Sequence, residues 1–370
     1  MAFDKELDFE NALVHLLSKH GWTDVILNPT EEDLIANFAK ILFENNSECS
    51  RLNRVPLSTG EIRQILNQIQ AKKTPFALNG FINGYTVSIV RDNPDDKLNF
   101  GKTVSLALYH RREIAAGKSR YQIVRQPKFR TIDVLDHDRR GDVMLLINGM
   151  PVIHIELKRS KVSVTQASNQ IEKYSYEGVF TGFFSLVQVF VAMTPEETVY
   201  FANAGTREKF NHDYFFHWAD YNNNPVNAWD KVTEQLLSIP MAHQLIGYYT
   251  VADSQDGKLK VMRSYQYNAV SQIFAKTKNK DWNDGDQRGG YIWHTTGSGK
   301  TLTSYKAAQL VAESGDADKV IFLVDRIELG TQSITEYRGF SGEDAAIKST
   351  ANTNELGRLL KSKNTNDKLI

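Results

Sequence analysis

Asp142, Glu156 and Lys158 stand in the segment GDVMLLINGMPVIHIELKRS. Two carboxylates and an ammonium group that meet can hold Mg²⁺, stabilise charge building on a phosphoryl group and position a water for attack. Whether they meet depends on the elements around them. Asn148-Gly149 supplies tight-turn chemistry between two apolar runs, so the segment reads as a β-hairpin. With a period of two, Glu156 and Lys158 leave the second strand on one face. The short connection at 148–151 brings Asp142 within about one residue of the register of Glu156. Asp142, Glu156 and Lys158 are therefore the candidate catalytic residues, with Asp142 and Glu156 as the metal ligands. A strand face carrying one acid and one base usually just meets water. The third residue across the hairpin is what lifts this case.

A helix is expected from about Val164 to Gly178, and on it Gln170 and Tyr174 lie four apart, sharing a face. An amide and a phenol so placed can hydrogen-bond nucleic-acid phosphates, although alone such a pair is ordinary surface decoration. Glu10, on the first helix, is weighed as a further metal-site carboxylate against a solvated helix face, and the solvated face is preferred. His154 neighbours the acid-bearing face and could touch substrate, but is not assigned as a ligand. No histidine pair has the HExxH spacing of a zinc site.

A second group of residues follows in YIWHTTGSGKT. A buried strand, Tyr291–Trp293, is expected to run into Thr296, Gly297, Ser298, Gly299, Lys300 and Thr301 and then into a helix. Glycines let successive backbone N–H groups wrap phosphates, and the helix N-terminus adds its dipole. Lys300 would reach the β- and γ-phosphates of ATP and Thr301 would hold its Mg²⁺. The strict phosphate-loop pattern has glycine where this chain has His294.

These groups sit in two textures. Helices are expected over 8–20, Glu31–Phe43 and Ser58–Ile69, the last opened by a Ser58/Glu61 capping box. β-like runs then follow from Gly80 (YTVSIV, TVSLALY, YQIVRQ), and VQVFVAM and TVYFANA read as central strands. The polar stretch DSQDGKLK reads as a linker, after which a helix at Tyr265–Lys276, the loop DWNDGDQRGG, the strand YIWHT, a helix and the strand KVIFLVD repeat an α/β nucleotide-binding layout. The boundary is placed near residue 255.

The 370 residues carry 44 Lys and Arg against 44 Asp and Glu, so no global field draws the chain to nucleic acid or membrane. Between His110 and Lys161, however, 12 basic residues face 6 acidic ones, as a phosphate-backbone binder needs. The single Cys49 excludes an internal disulfide and any cysteine-based zinc cage, and fits a reducing compartment. With no apolar run of ~18 residues and no signal-peptide layout, a cytoplasmic location is expected.

The D…ExK hairpin resembles the PD-(D/E)xK nuclease core, with Gly141 where that family usually has proline, and Gln170 with Tyr174 match the QxxxY element of RecB-type nucleases. TGSGKT resembles motif I of superfamily 2 helicases. By that resemblance Gln266, in RSYQYNAV, would read the adenine edge, and Asp325-Arg326, ending KVIFLVD, would touch the DNA backbone. The order of these parts, with strings such as LSTGEI, IELKRS, QIEKY and WHTTGSGKT, resembles the R (restriction and motor) subunit of type I restriction enzymes. The resemblance implies an α/β chain with a RecB-like endonuclease domain over 1–254 and the first, incomplete RecA-like domain of a motor over 255–370. It further implies an ATP-dependent, Mg²⁺-requiring type I deoxyribonuclease that joins methyltransferase and specificity subunits and cuts unmethylated double-stranded DNA far from the recognised site. No DEAH-type Walker B string occurs before Ile370, so an N-terminal fragment unable to translocate is expected. The rival readings are a repair helicase–nuclease without a methyltransferase partner and a catalytically idle DNA-binding fragment.

Overall fold

A computed structural model of the chain describes residues 2–111, 117, 119–130, 139–278, 289–341, 347–350, 352–364 and 367–370. The expected loop DWNDGDQRGG lies outside the described residues up to position 288. Two compact units are formed. The first contains Met1–Trp218, Pro225–Val251 and Lys258–Val261; the second contains Ala219–Asn224, Ala252–Gly257 and Met262–Ile370.

In the first unit, helices α1 (Glu6–Lys19), α2 (Glu31–Asn45), α3 (Thr59–Ala71) and α4 (Pro75–Asn83) precede or lead into the strands. Thr30 with Asp33, and Ser58 with Glu61, close reciprocal capping boxes at the starts of α2 and α3, satisfying N–H groups that a helix end leaves orphaned. Strand β1 (Asp24–Leu27) lies between α1 and α2, and strands β2 (Thr86–Val90), β3 (Thr103–Ala107), β4 (Tyr121–Arg125), β5 (Lys128–Phe129), β6 (Arg139–Arg140), β7 (Val143–Ile147), β8 (Met150–Leu157), β9 (Val189–Met193) and β10 (Thr198–Ala202) follow α4, with α5 (Val164–Tyr176) between β8 and β9. Among the described residues the main sheet runs β1-β4-β7-β8-β9-β10. β1 with β4, and β8 with β9, are parallel; the other neighbours are antiparallel.

The β7–β8 hairpin turns on Asn148 and Gly149, both at positive φ, as a two-residue hairpin turn requires. Ile147 faces Met150 and Leu146 faces Pro151. Past an irregularity, Leu145 faces Ile153, Met144 faces His154 and Val143 faces Ile155. Val152 is the extra residue of a β-bulge, next to a proline that has no N–H to give a ladder. Continuing that register sets Asp142 opposite Glu156. Without the bulge, the same turn would set Asp142 opposite Ile155, on the other side of the sheet from Glu156.

β8 departs from the expected half-exposed alternation, because every one of its residues is buried, His154 and Glu156 included. It lies between β7 and β9, and α1, α5 and the turn Gly182–Leu186 pack on it. The DSQDGKLK stretch is likewise not an open linker: β11 (Thr250–Asp253) and β12 (Lys258–Val261) pair across it. Between β10 and β11 come the short helices α6 (Trp229–Val232) and α7 (Met241–Gly247).

The second unit is built on α8 (Ser264–Thr277), α9 (Lys300–Ser314), α10 (Ile327–Ser341) and α11 (Thr353–Lys361). Tyr305, Tyr337 and Ile347 form a small core against which Ile334, Phe340 and Leu369 pack. The two strands expected here are not formed among the described residues. Tyr291 and Trp293 are about nine-tenths exposed rather than buried, and KVIFLVD makes only an isolated parallel bridge between Val320 and Leu369. The physical reason is that a strand is a non-local state. These apolar runs need neighbours on both edges and cover on both faces, and among the described residues Val320 and Phe322 bond along the backbone only to 368–370.

Candidate active site

Asp142 sits just before β7, its Oδ2 accepting the Leu157 N–H at 2.7 Å across the hairpin. Glu156, opposite, is close enough to Asp142 for each carboxyl to act on the other's titration. Burial pushes Glu156 up to about 8, despite the opposing pull of the Lys158 ammonium. Asp142 is held well above the usual carboxylate range, first by desolvation and then by the Glu156 charge. Two acids that cannot both ionise cheaply have been brought to one place. Lys158 Nζ stands 3.8 Å from Glu156 Oε1 and 3.8 Å from Glu6 Oε1, and donates to the Leu157 carbonyl at 2.9 Å. The three residues singled out in the sequence thus converge.

Among the described residues no cluster of three or more His, Cys, Asp and Glu side chains is arranged to hold a metal. Two carboxylates nevertheless fit Mg²⁺, which takes one or two protein carboxylates and fills its remaining positions with water and phosphate oxygens. The decisive atom is Glu156 Oε1, buried and without a hydrogen-bond partner among the described residues. A divalent cation would meet that orphan and relieve the repulsion between the two acids.

The other Glu156 oxygen, Oε2, lies 3.2 Å from His154 Nε2. Burial holds His154 at about 4, so the ring is uncharged at neutral pH. The ring also explains Gly141: a Cβ there would stand 2.7 Å from His154 Cε1 and 2.8 Å from Phe129 Cε2. Glu10 is neither solvated nor among the converging acids. Arg125 takes its Oε1 at 2.6 Å and Gln126 its Oε2 at 3.0 Å, and the Gln126 N–H holds the Asp142 carbonyl at 2.8 Å.

A surface cleft of about 470 Å³ adjoins Lys158 and is lined also by Arg139, Gln166, Asn169, Gln170, Lys173 and Tyr174. Gln170 and Tyr174 are joined to each other, Gln170 Nε2 donating to the Tyr174 hydroxyl at 2.7 Å. Tyr174 spends its own proton on the Arg140 carbonyl at 3.1 Å, and burial raises the phenol to about 12. Tyr174 therefore anchors α5 to β6, while Gln170 looks into the cleft. Gln166, Asn169 and Lys173 went unnoticed in the sequence, although their spacing with Gln170 marks one polar stripe of α5.

In the second unit, Gly297 and Gly299 hold positive φ before α9, and nothing would obstruct a Cβ at Gly297. Lys300 Nζ donates to the Thr295 carbonyl at 3.2 Å, Ser298 Oγ reaches the same carbonyl, and Thr301 opens α9 behind Lys300. Gln266, buried on α8, accepts the Arg263 N–H through Oε1 and donates to the Gly299 carbonyl at 3.2 Å. Its amide binds the loop Thr296–Thr301, a contact the sequence did not foretell. Asp325 and Arg326 are exposed at the head of α10.

Comparison with known proteins bears on both units. Residues 5–209 match the family model described as type I restriction enzyme R protein N terminus. The chain belongs to that family. Residues 265–370 match the SWI2/SNF2 ATPase model. Over 98% of its length the chain is 33% identical to a type I restriction enzyme endonuclease subunit of Staphylococcus saprophyticus, covering 36% of that protein. One from Staphylococcus aureus is 31% identical over the same share, and an Escherichia coli endonuclease subunit is 27% identical over 75% of this chain and 84% of its own. The chain spans about a third of the length of the staphylococcal relatives. No helix among the described residues is long and apolar enough to cross a membrane.

The Glu156 shift gives a test. Its folded-state value of about 8 lies above the ordinary 4.5, so the proton-bound form favours the fold. The cost of Glu156 is absent below pH 4.5 and grows as pH climbs towards 8. In metal-free buffer Glu156→Gln is expected to raise unfolding free energy by roughly 2–4 kcal/mol at pH 8 and by nothing at pH 4, given ~1.4 kcal/mol per pKa unit. Urea unfolding across that range measures it; a gain independent of pH would contradict the assignment.

Proposed function

We propose that the first unit is a PD-(D/E)xK (RecB-like) endonuclease that hydrolyses double-stranded DNA with Mg²⁺, and that the second is the ATP-binding start of a superfamily 2 translocating motor. The observation that carries the nuclease reading is the convergence of Asp142 and Glu156, one oxygen of Glu156 left without a donor, beside Lys158 and an amide-lined cleft.

Asp142 and Glu156 would hold the metal, which when bound supplies charge stabilisation at the phosphate and a more acidic water. Lys158 reaches into the cleft, where its ammonium can orient the attacking water and face the negative charge that develops on the phosphate oxygens. Gln170, Asn169 and Lys173 present donors to the backbone of the strand lying in the cleft, fixing its position without reading sequence. Tyr174 holds the helix that carries them.

On the second unit, Gly297–Thr301 would wrap the phosphates of ATP, Lys300 exchanging its bond to Thr295 for the β- and γ-phosphates and Thr301 holding the nucleotide's Mg²⁺. Gln266 would read adenine only by giving up its present contacts to Arg263 and Gly299. Asp325 and Arg326, exposed at a helix head, are proposed to touch DNA.

The whole subunit, joined to methyltransferase and specificity subunits in the cytoplasm, would draw flanking DNA inward with ATP and cut unmethylated foreign DNA far from the recognised sequence. The family match over 5–209 supports this above a repair nuclease without such partners.

Supercoiled plasmid with Mg²⁺ tests the nuclease. Asp142→Ala and Lys158→Ala are each expected to lower nicking at least about 100-fold, equivalent to ~2.7 kcal/mol of barrier. Equal nicking by all three proteins, or no dependence on these residues in the complete restriction complex, would overturn the reading. For the ATP site, nucleotide at about 100 times its Kd should stabilise the chain by ~2.7 kcal/mol. Lys300→Ala should remove that shift in a thermal melt, and an unchanged shift would exclude the assigned loop.

A further inference from the structure

We propose that His154 is a positioning residue, fixing through Nε2 which oxygen of Glu156 is left to coordinate a divalent metal. The proposal rests on the nuclease reading and adds a residue to it. His154 and Glu156 are two apart on β8 and so share a face, and Nε2 lies 3.2 Å from Oε2. A carboxylate that ligates a metal is ionised and can only accept, so in that state Nε2 must carry the proton and Oε2 is occupied. That leaves Oε1, which has no hydrogen-bond partner among the described residues and lies 3.8 Å from Lys158 Nζ.

The ring is not an ordinary satisfied core histidine. Its Nδ1 is buried with no hydrogen-bond partner among the described residues, and its neighbours include the rings of Phe129, Phe180 and Phe190, at centroid distances of 6.0, 5.2 and 6.3 Å. Packing alone would be better served there by an apolar side chain. Among the described residues the ring's polar contact is Glu156, so the imidazole's donor is what that site uses. The ring also sits against Gly141, immediately before Asp142 in the chain: only a residue without Cβ leaves it room. His154 therefore touches the supports of both candidate ligands, bonding one carboxylate and abutting the backbone that carries the other. Metal ligands held by such outer partners typically lose 10–100-fold in affinity when the partner goes.

The test uses the 370-residue chain without nucleotide, reading the Mg²⁺ concentration that gives half-maximal thermal stabilisation, with plasmid nicking titrated in parallel. His154→Leu and His154→Met remove the donor but keep an apolar body; His154→Gln places an amide N–H where Nε2 stands. The apolar variants are expected to raise the Mg²⁺ midpoint about 10-fold or more in both readouts, while binding of duplex DNA in EDTA stays within about twofold. His154→Gln should return the midpoint to within about threefold of the parent. A parental midpoint in the apolar variants, or a glutamine variant as impaired as they are, overturns the positioning role. A parent chain that shows neither Mg²⁺ stabilisation nor nicking instead removes the nuclease reading, and this proposal with it.

Discussion

A proline with no N–H to offer sits inside the central strand of the first unit, and the sheet absorbs it as a one-residue bulge at Val152. Everything at the candidate site depends on that added residue. The two-residue Asn148-Gly149 turn fixes the register near the hairpin tip, and the bulge shifts it by one before the open end, where Asp142 comes opposite Glu156. Two acids are thereby held together where neither can ionise without cost. The strands around them can bear it. Each fully buried Val, Leu or Ile on β7, β8 and β9 contributes about 1.5–3 kcal/mol, so a few of them outweigh the penalty of the acid pair.

Much of this was legible beforehand, because the signals were local. Asn-Gly between apolar runs specifies a turn, Ser58 with Glu61 specifies a helix start, and the span of α5 was expected from about Val164. The D…ExK spacing was legible to within one residue, and the bulge supplies that residue. What could not be read depends on contacts distant in sequence. Glu10 looked solvated on α1 because its partners, Arg125 and Gln126, come more than a hundred residues later. His154 looked incidental because nothing in the chain order announces a box of phenylalanines from β5, β9 and the segment after α5. Helix α4 was passed over because FALNGFIN carries a glycine and two asparagines, while Thr74 as cap and Pro75 in the first turn mark its start.

The second unit shows the opposite balance. Its glycine loop is encoded within a few residues: Gly297 and Gly299 adopt the backbone that only glycine takes without strain, and α9 starts directly behind them. Its strands are not encoded that way. YIWHT and KVIFLVD have strand composition, yet pairing is a property of neighbours, and among the described residues they find little beyond the bridge at Val320. Gln266, expected to face a base, instead fastens α8 to the loop, so the proposed adenine contact and the α8–loop contact would draw on the same amide.

The central claim is that Asp142 and Glu156 act on one another as a single coupled pair. A double-mutant cycle in metal-free buffer at pH 8 measures this directly, with Asp142→Asn, Glu156→Gln and the combined variant compared by urea unfolding. Since neutralising either acid removes its own burial penalty, and the Glu156 charge adds to the penalty on Asp142, each single change should stabilise the chain, and the double should gain less than the two summed by at least ~1 kcal/mol. Strictly additive gains would mean the two carboxyls do not meet, and would contradict the account.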